Sequence, residues 1–196
     1  MTDIVAHPAA PATADEPLPE APESDAFPAR GARRADLDAE LTAFYAEESA
    51  ALDEGRADDW LALLAEPFVY QVPVPLLRED PSLPRHSERA MLFEATKKIF
   101  AMKLGRTGLQ HAWSDRPAAA TRHFVGAVRV FALDRPRLLR VDCNVLATLA
   151  RGHETALATA ARHDVVVRGA DGLRLLRRRV LLDAEVSTHA QLSLIF

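Results

Sequence analysis

The strongest constraint on the fold is an alternation of apolar and polar residues in the stretch Leu138–Leu149. The apolar set occupies every second position and consists of Leu139, Val141, Cys143, Val145, Ala147 and Leu149. The polar set between them includes Arg140, Asp142, Asn144 and Thr148. Because successive side chains of a β-strand point to opposite faces, the apolar set shares one face. The chain therefore contains a sheet with an apolar face that another layer must cover.

Three neighbouring stretches extend this strand into an antiparallel meander. Thr121–Phe131 is rich in Val and Phe, and Thr155–Arg168 follows a turn at Gly152. Gly169–Gly172 reads Gly-Ala-Asp-Gly, which is a hairpin signal, and Leu173–Asp183 is then the last strand. Both faces of that last strand carry Arg and Leu, so the pattern does not assign its buried side.

The first helix of the chain is predicted to start near Asp36, which is a suitable N-cap residue. Its apolar residues fall on one face at helical spacing, namely Leu37, Leu41, Phe44, Tyr45 and Leu52. Gly55 is suited to end it, because glycine adopts the left-handed conformation that follows many helices.

Shorter elements connect this helix to the meander. Asp58 is predicted to cap a second helix that Pro67 ends, and Phe68–Val74 is a strand whose prolines confine it to an edge or mark its end. Ser87 is predicted to cap a third helix that ends near Leu104. Its apolar stripe comprises Met91, Leu92, Ala95, Ile99 and Met102. Helices first and a meander afterwards predict an α+β fold, with helices packed on one face of a curved, mostly antiparallel sheet.

Residues 1–35 differ in composition from the rest of the chain, being rich in Pro, Ala and acidic residues. Such a segment cannot bury enough apolar surface to offset its ordering entropy, so it is predicted to be a disordered tail before a single domain at 36–196. An alternative is an arm that docks on a partner through Phe27. Of the net charge of −4, the tail's three Arg and six Asp or Glu account for most. The nearly neutral body does not favour binding to nucleic acid or to an anionic membrane.

Cys143 is the single cysteine, which excludes an intrachain disulfide. No apolar run approaches the length of a membrane span, and the first residues lack the basic and apolar segments of a secretory signal. We therefore expect a cytoplasmic protein.

One region resembles a known family. Arg106–Val130 contains Arg-Thr-Gly, then Ala-Trp, a Pro and Thr-Arg-His leading into an apolar strand, and this order resembles the small (beta) subunit of aromatic-ring-hydroxylating dioxygenases. The Trp-Leu-Ala-Leu-Leu run at Trp60–Leu64, the Arg-rich strand at Arg177–Asp183 and the apolar terminus Leu192–Phe196 fit the same family. The resemblance covers nearly everything except the tail. The chain departs from the family at Leu173, where an aromatic residue, often Trp, is usual.

The resemblance implies the cone-shaped fold of nuclear transport factor 2, ketosteroid isomerase and the SnoaL-like proteins. It also implies an oxidoreductase assembly of aromatic hydrocarbon catabolism, in which this chain is a non-catalytic subunit. The implied partner is a large (alpha) subunit in an α3β3 hetero-hexamer, with this chain self-associating as a trimer. That partner would carry a Rieske [2Fe–2S] centre and a mononuclear Fe(II), with electrons supplied from NAD(P)H by a reductase.

Ligand counting agrees with placing both metal centres outside this chain. A Rieske centre takes two Cys and two His, whereas Cys143 is alone here. The mononuclear iron takes two His and a carboxylate, but the seven His are scattered along the chain. In the adjacent pairs His153-Glu154 and His163-Asp164, strand geometry directs the side chains to opposite faces. We therefore expect no metal site in this chain, and the resemblance, which places the chemistry in the large subunit, implies no cofactor site and no catalytic residue here.

His123 supports two readings. In the first, it is a general acid or base in the cone, paired with Asp142 or Asp164 and assisted by Tyr45 or Tyr70. The chain would then be a stand-alone isomerase or dehydratase of the same fold. In the second, His123 and its neighbour Arg122 hydrogen-bond the preceding loop and order a subunit contact.

Further interface candidates complete the sequence predictions. Trp113 lies near a Pro-containing loop, where a Trp commonly packs or anchors a contact. Leu194 and Phe196 belong to the apolar terminus, which is either a buried subunit contact or part of the chain's own core. Together with Arg122 and His123, these residues form the predicted interface set.

Overall fold

The chain forms a six-stranded curved sheet with α-helices packed against it, which confirms the predicted α+β class. This computed structural model describes residues 27–107, 120–184 and 195–196. After a 3-10 turn (Ala35–Leu37), the helices are α1 (Asp38–Asp53), α2 (Ala57–Ala62) and α3 (Lys97–Thr107). The strands are β1 (Leu64–Pro75), β2 (His86–Thr96), β3 (Ala120–Ala132), β4 (Leu138–Arg151), β5 (Glu154–Gly169) and β6 (Gly172–Leu182). Their order across the sheet is β2-β1-β6-β5-β4-β3, and among these described strands only the β1–β6 pair is parallel.

The two faces of the sheet bury different sets of side chains. The face toward the helices, which we call the inner face, carries the main core. From β4 it includes Leu139, Val141, Cys143, Val145 and Ala147, with Leu149 partly buried against them. The opposite, outer face carries a smaller core of Ala65, Leu138, Val165, Val167 and Leu176. The alternation of β4 therefore predicted its buried face correctly.

The predicted meander is confirmed, and β6 is buried on both faces. β4 pairs with β5 over its whole length, and Gly169 pairs with Gly172 at the hairpin. Arg178 and Val180 of β6 belong to the inner face, where they meet α1 and the main core. Arg177 and Arg179 point outward and are 4% and 8% exposed. The mixed Arg and Leu pattern of this strand thus reflects two covered faces.

α1 has the predicted apolar face but not the predicted cap. Asp36 lies in the 3-10 turn, where its carboxylate accepts hydrogen bonds from Arg34, and the α1 N-terminus has no side-chain cap. Leu41 and Tyr45 are buried as expected. Gly55 has a φ of 69° just beyond the last turn, so its predicted role as the helix stop is confirmed.

The second helix also begins without a side-chain cap, so the prediction for Asp58 is wrong. It ends at Ala62, and Pro67 lies inside β1 rather than terminating the helix. The carbonyl of Leu63 accepts a hydrogen bond from the Leu175 amide at 2.8 Å, so the chain joins the sheet directly after the helix. Tertiary pairing therefore ended this helix earlier than the proline signal indicated.

β1 is an interior strand between β2 and β6 and ends at Pro75, so of the two predicted outcomes the prolines mark the end of the strand and not an edge of the sheet. Pairing with β6 ends at Gln71 and Arg179, before Pro73, and Pro67 lies where the register toward β6 shifts between Leu64 and Val69. The register toward β2 is irregular around Pro73 and Pro75. Pro73 and Pro75 are thus tolerated because they lie past the segment that needs donors on both sides.

The third helix is shorter than predicted, because its first half is strand β2. Ser87 Oγ does accept hydrogen bonds from the amides of Arg89 and Ala90, which resembles a cap, but the backbone continues as a strand. The predicted apolar stripe is divided: Ala95 is 1% exposed and Ile99 packs against the main core, whereas Leu92 and Met102 are 40% and 56% exposed. Antiparallel pairing with β1 outweighed the local helical pattern.

Residues 27–34 form a strap along the edge of β3 and over the outer face. The Arg34 amide donates to Val130 O at 2.9 Å, and the Ala132 amide donates to Ala32 O at 2.8 Å. Arg30 Nε lies 2.5 Å from Asp142 Oδ2. The Phe27 ring lies 5.2–5.5 Å from three guanidinium groups, those of Arg140, Arg177 and Arg179. The assignment of residues 27–35 to the disordered tail is therefore corrected, while residues 1–26 lie outside the described residues.

Candidate functional site

Four ionisable side chains meet on the inner face between α1 and the sheet. This inner charge cluster consists of Glu48, Arg162, Asp164 and Arg178. Glu48 lies one helical turn after Tyr45 on α1, and Arg162 and Asp164 are two positions apart on β5, so each pair shares a face. All four side chains are at most 1% exposed.

Arg178 is the centre of this cluster. Its Nη1 and Nη2 donate to the two Glu48 carboxylate oxygens at 2.7 and 2.9 Å. Its Nε and Nη2 donate to Asp164 Oδ1 and Oδ2 at 3.0 and 2.8 Å. Two bidentate contacts on one guanidinium fix both carboxylates in place. They also join α1, β5 and β6 through a single side chain.

Arg162 completes the cluster with looser geometry. Its Nη2 lies 3.3 Å from Glu48 Oε2 and 3.7 Å from Asp164 Oδ2, and its guanidinium stacks 4.7 Å from the centre of the Tyr45 ring. Among the described residues, its buried Nε and Nη2 have no hydrogen-bond partner. The cluster holds two positive and two negative groups, so its formal charge balances.

Two further side chains bond to the carboxylates. Tyr45 Oη donates to Asp164 Oδ2 at 2.9 Å, and Trp60 Nε1 donates to Glu48 Oε1 at 3.2 Å. Burial alone would raise the pKa of Glu48, but the charges of Arg178 and Arg162 outweigh it and lower the pKa to about 2. Burial and the nearby Asp164 charge raise the pKa of Tyr45 well above its usual value. Glu48 therefore stays ionised and Tyr45 stays neutral near pH 7, which suits a fixed framework better than proton transfer.

His123 is held away from both of its predicted acid–base partners. Its Nδ1 lies 2.6 Å from Asp53 Oδ1 at the end of α1, and its backbone amide donates to Asp53 Oδ2 at 3.1 Å. Its Nε2 lies 2.8 Å from the Ile195 carbonyl oxygen. Asp142 is on the outer face with Arg30, and Asp164 is bonded within the inner charge cluster. The geometry thus gives His123 a positioning role toward α1 and residues 195–196.

The other predicted interface residues are distributed differently. Trp113 and Leu194 lie outside the described residues. Arg122 is exposed on the outer face of β3, where its Nη1 lies 3.3 Å from its neighbour's carbonyl oxygen, Thr121 O. Phe196 is 2% exposed within the inner core, so this residue follows the reading in which the terminus packs on its own chain.

The inner charge cluster was not predicted from the sequence, although a signal for it existed. Glu48 continues the apolar stripe of α1 at Leu41 and Tyr45, a position where a solvated carboxylate is not expected. Arg178 similarly shares the inner face of β6 with apolar neighbours. Charged residues at core positions of two elements, with opposite signs, indicate a buried pair.

A metal centre does not fit the described side chains. In the described ranges, no group of three or more His, Cys, Asp or Glu is arranged to hold a metal ion. Cys143 is buried on the inner face, and the chain has no second cysteine to complete a Rieske ligand set. The adjacent His163 and Asp164 point to opposite faces, since His163 lies near Phe27 and Asp164 meets Arg178.

Two surface clefts of the described residues lie away from the inner charge cluster. One cleft of about 340 Å³ is lined by strap residues 28–31, by 132–135 and by Leu138. A second cleft of about 570 Å³ lies along β3, β4 and β5, and its lining includes Phe124, Asn144 and Thr159. Neither cleft is lined by a residue of the cluster.

Solved structures share this fold. Naphthalene 1,2-dioxygenase with indole bound in its active site gives a TM-score of 0.69 at 21% identity, over 78% of this chain and 82% of the other. The beta subunit of benzoate 1,2-dioxygenase from Burkholderia mallei gives 0.56 at 18% identity, over 74% and 89%. A protein from Novosphingobium aromaticivorans assigned as a scytalone dehydratase gives 0.54 at 17%, over 79% and 89%. These matches support the predicted cone-type architecture.

None of the helices in the described ranges is long and apolar enough to cross a membrane.

Family membership rests on a sequence match. The model of the family described as "Ring hydroxylating beta subunit" matches residues 47–189, which is most of the chain. The match begins within α1 and runs past the end of β6, so it includes helices and strands that build the inner face. The resemblance stated from the sequence is confirmed, and the chain belongs to the ring-hydroxylating beta-subunit family.

Proposed function

We propose that this chain is a non-catalytic organising subunit of a multicomponent aromatic-ring-hydroxylating dioxygenase. Its partner is a large subunit that carries the Rieske centre, the mononuclear iron and the aromatic substrate. The assembly is an α3β3 hetero-hexamer in which this chain also contacts its own copies. A closed cyclic arrangement needs only one pair of complementary patches, used three times.

The observation that carries this proposal is that the ionisable side chains of the inner charge cluster are buried and bonded to one another. The carboxylates of Glu48 and Asp164 are bonded to Arg178 and buried, and Tyr45 is bonded to Asp164. A general acid or base must reach a substrate and exchange a proton near pH 7. Buried groups with these partners favour a structural core over an acid–base site.

A stand-alone isomerase or dehydratase is the competing function. The structural similarity to a protein assigned as a scytalone dehydratase is at the level of the fold, which does not carry chemistry with it. His123, the residue that would serve this function, bonds to Asp53 and Ile195 instead of Asp142 or Asp164.

The test is to purify the protein from its native source and identify what accompanies it. Native mass, iron content, acid-labile sulfide and the visible spectrum are measured on one sample. We expect a larger iron-bearing partner with Rieske-type absorption, and a colourless chain after separation. A chain that travels alone and turns over a substrate by itself, with a large loss in His123→Ala, would replace this proposal with the isomerase or dehydratase function.

A charge reversal tests the predicted contribution of Arg122 to assembly. Arg122 is exposed on edge strand β3, and we expect Arg122→Glu to lower the fraction of hetero-hexamer measured by native mass spectrometry. The matched control is Arg78→Glu, an exposed position between β1 and β2 at the opposite edge of the sheet. Equal assembly of both variants and the unmodified chain would remove Arg122 from the interface set.

A further inference from the structure

Residues 195 and 196 pack against the inner face, and side chains of other elements bind their backbone groups. Phe196 is 2% exposed and belongs to the main core, and Ile195 packs against that core. Neither residue is part of a helix or strand, so backbone pairing within a regular element does not hold them in place.

Three side chains from three strands hold their backbone. His123 Nε2 on β3 lies 2.8 Å from the Ile195 carbonyl oxygen. The Phe196 amide donates to Tyr70 Oη on β1 at 3.1 Å, and Arg178 Nη1 on β6 donates to the Phe196 oxygen at 2.9 Å. The recognised groups are therefore an acyl oxygen, an N–H and a second oxygen, followed by a phenyl ring in an apolar environment.

The donor at His123 is fixed by its other contact. Nδ1 faces the Asp53 carboxylate at 2.6 Å, and Nε2 faces a carbonyl oxygen, so both ring nitrogens face acceptors. The backbone amide of His123 also donates to Asp53, which orients the ring.

A spare donor lies in the same charge cluster as Arg178. Arg162 shares Glu48 with Arg178 through its Nη2, and its buried Nε has no hydrogen-bond partner among the described residues. A buried guanidinium nitrogen without a hydrogen-bond acceptor is costly, so a ligand that brings an extra oxygen to the cluster is favoured. A carboxylate supplies one more oxygen than a peptide carbonyl does.

We propose that the inner face is a binding site for an N-acylated aromatic amino acid, and that Ile195 and Phe196 occupy it as an internal ligand. The acyl oxygen binds His123, the N–H binds Tyr70, the carboxylate binds Arg178, and the ring fills the core position of Phe196. This proposal stands independently of the role of the chain in a dioxygenase.

The probe is N-acetyl-L-phenylalanine, which carries all four recognised groups. It is titrated by calorimetry and by NMR into a variant truncated after residue 194 and into the full chain. We expect saturable binding of one molecule to the truncated variant. Binding to the full chain should be weaker by about tenfold or more, because a tethered residue competes at millimolar effective concentration.

Matched probes and variants test each recognised group. N-acetyl-L-alanine lacks the ring and should bind the truncated variant at least about tenfold more weakly, as expected for loss of a buried aromatic side chain. Tyr70→Phe in the same variant removes the acceptor for the N–H and should weaken binding about fivefold. A folded truncated variant that does not bind the probe overturns the proposal, as does equal binding to the full chain.

A second variant decides the question if the truncated chain does not fold. Phe196→Ala keeps the three backbone hydrogen bonds and removes only the ring, which leaves an apolar cavity in the inner core. Dry apolar cavities of this kind bind benzene. We expect benzene to raise the melting temperature of Phe196→Ala and not that of the full chain, and the absence of this difference overturns the proposal.

Discussion

Glu48 illustrates how one residue links the helices to the sheet. Its carboxylate binds Arg178 through both oxygens and also accepts from Trp60, and all three side chains are buried. Removing one member of a buried ion pair leaves its partner uncompensated, which costs more than the pair contributes by itself. The residue is therefore more sensitive to substitution than its place on a surface-facing helix suggests.

We predict that Glu48→Gln lowers the free energy of unfolding by about 3–5 kcal/mol at pH 7, since it leaves Arg178 without a full counter-charge. The matched control is Glu47→Gln, which alters the neighbouring exposed carboxylate of α1 and should change stability by less than about 0.5 kcal/mol. Urea unfolding of the three proteins measures both effects. Similar losses in both variants would contradict a specific role for the buried pair.

The same carboxylate predicts a dependence of stability on acid. The pKa of Glu48 is about 2 in the folded chain, against an ordinary value of 4.5. Its ionisation thus stabilises the fold above pH 4.5, and this contribution is lost as pH falls from 4.5 toward 2. We expect urea midpoints of the unmodified chain to fall more steeply in this window than those of Glu48→Gln. Parallel curves would contradict the prediction.

At the scale of elements, β2 shows why a local pattern failed. The stretch His86–Thr96 has residues at helical spacing, but its neighbours in space are the backbone groups of β1. Ladder hydrogen bonds and the burial of Ala95 at 1% exposure favour the strand, whereas a helix there would leave β1 as an unpaired edge. The helix begins only at Lys97, where that pairing ends.

The position of the strap depends on a close approach between its backbone at Gly31 and the backbone of β3 at Ala132. A Cβ added at Gly31 would collide with the carbonyl oxygen of Ala132, whereas one added at Gly126 has open space around it. We predict that Gly31→Ala detaches the strap and speeds hydrogen exchange at the amides of Arg34 and Ala132, which bond across this contact. Gly126→Ala is the control and should leave both rates unchanged. Protection preserved in Gly31→Ala would show that the strap does not depend on this approach.

At the scale of the whole molecule, the chain has two cores on one sheet. The helices cover the inner face with the larger core, and the strap covers part of the outer face with a smaller one. The outer face still exposes Phe124 at 61% and Leu157 at 56%, near Arg122 in the register of β3, β4 and β5. The arrangement leaves edge strand β3 and its outer face as the region where we propose that assembly contacts form.

Much of the sheet was predictable because the strands of the meander, β3 to β6, carry their own evidence in local sequence. Alternation in β4 and the Gly-Ala-Asp-Gly hairpin before β6 depend on residues close in sequence. The candidate site was less predictable, because Glu48, Asp164 and Arg178 come from elements separated by more than 100 positions for two of the three pairs. A pattern within one element does not reveal which distant charge lies opposite.

By itself, the sequence determined the fold class, the meander, the family and the absence of a Rieske ligand set, because these follow from local periodicity, motif order and a count of cysteines. Only the tertiary structure decided that residues 86–96 form a strand, that residues 27–34 pack on the sheet and that His123 binds Asp53 and Ile195. Each of these outcomes depends on a partner group far away in the chain. The free energy that stabilises each outcome comes from pairing and burial between elements, and local sequence does not encode these contacts.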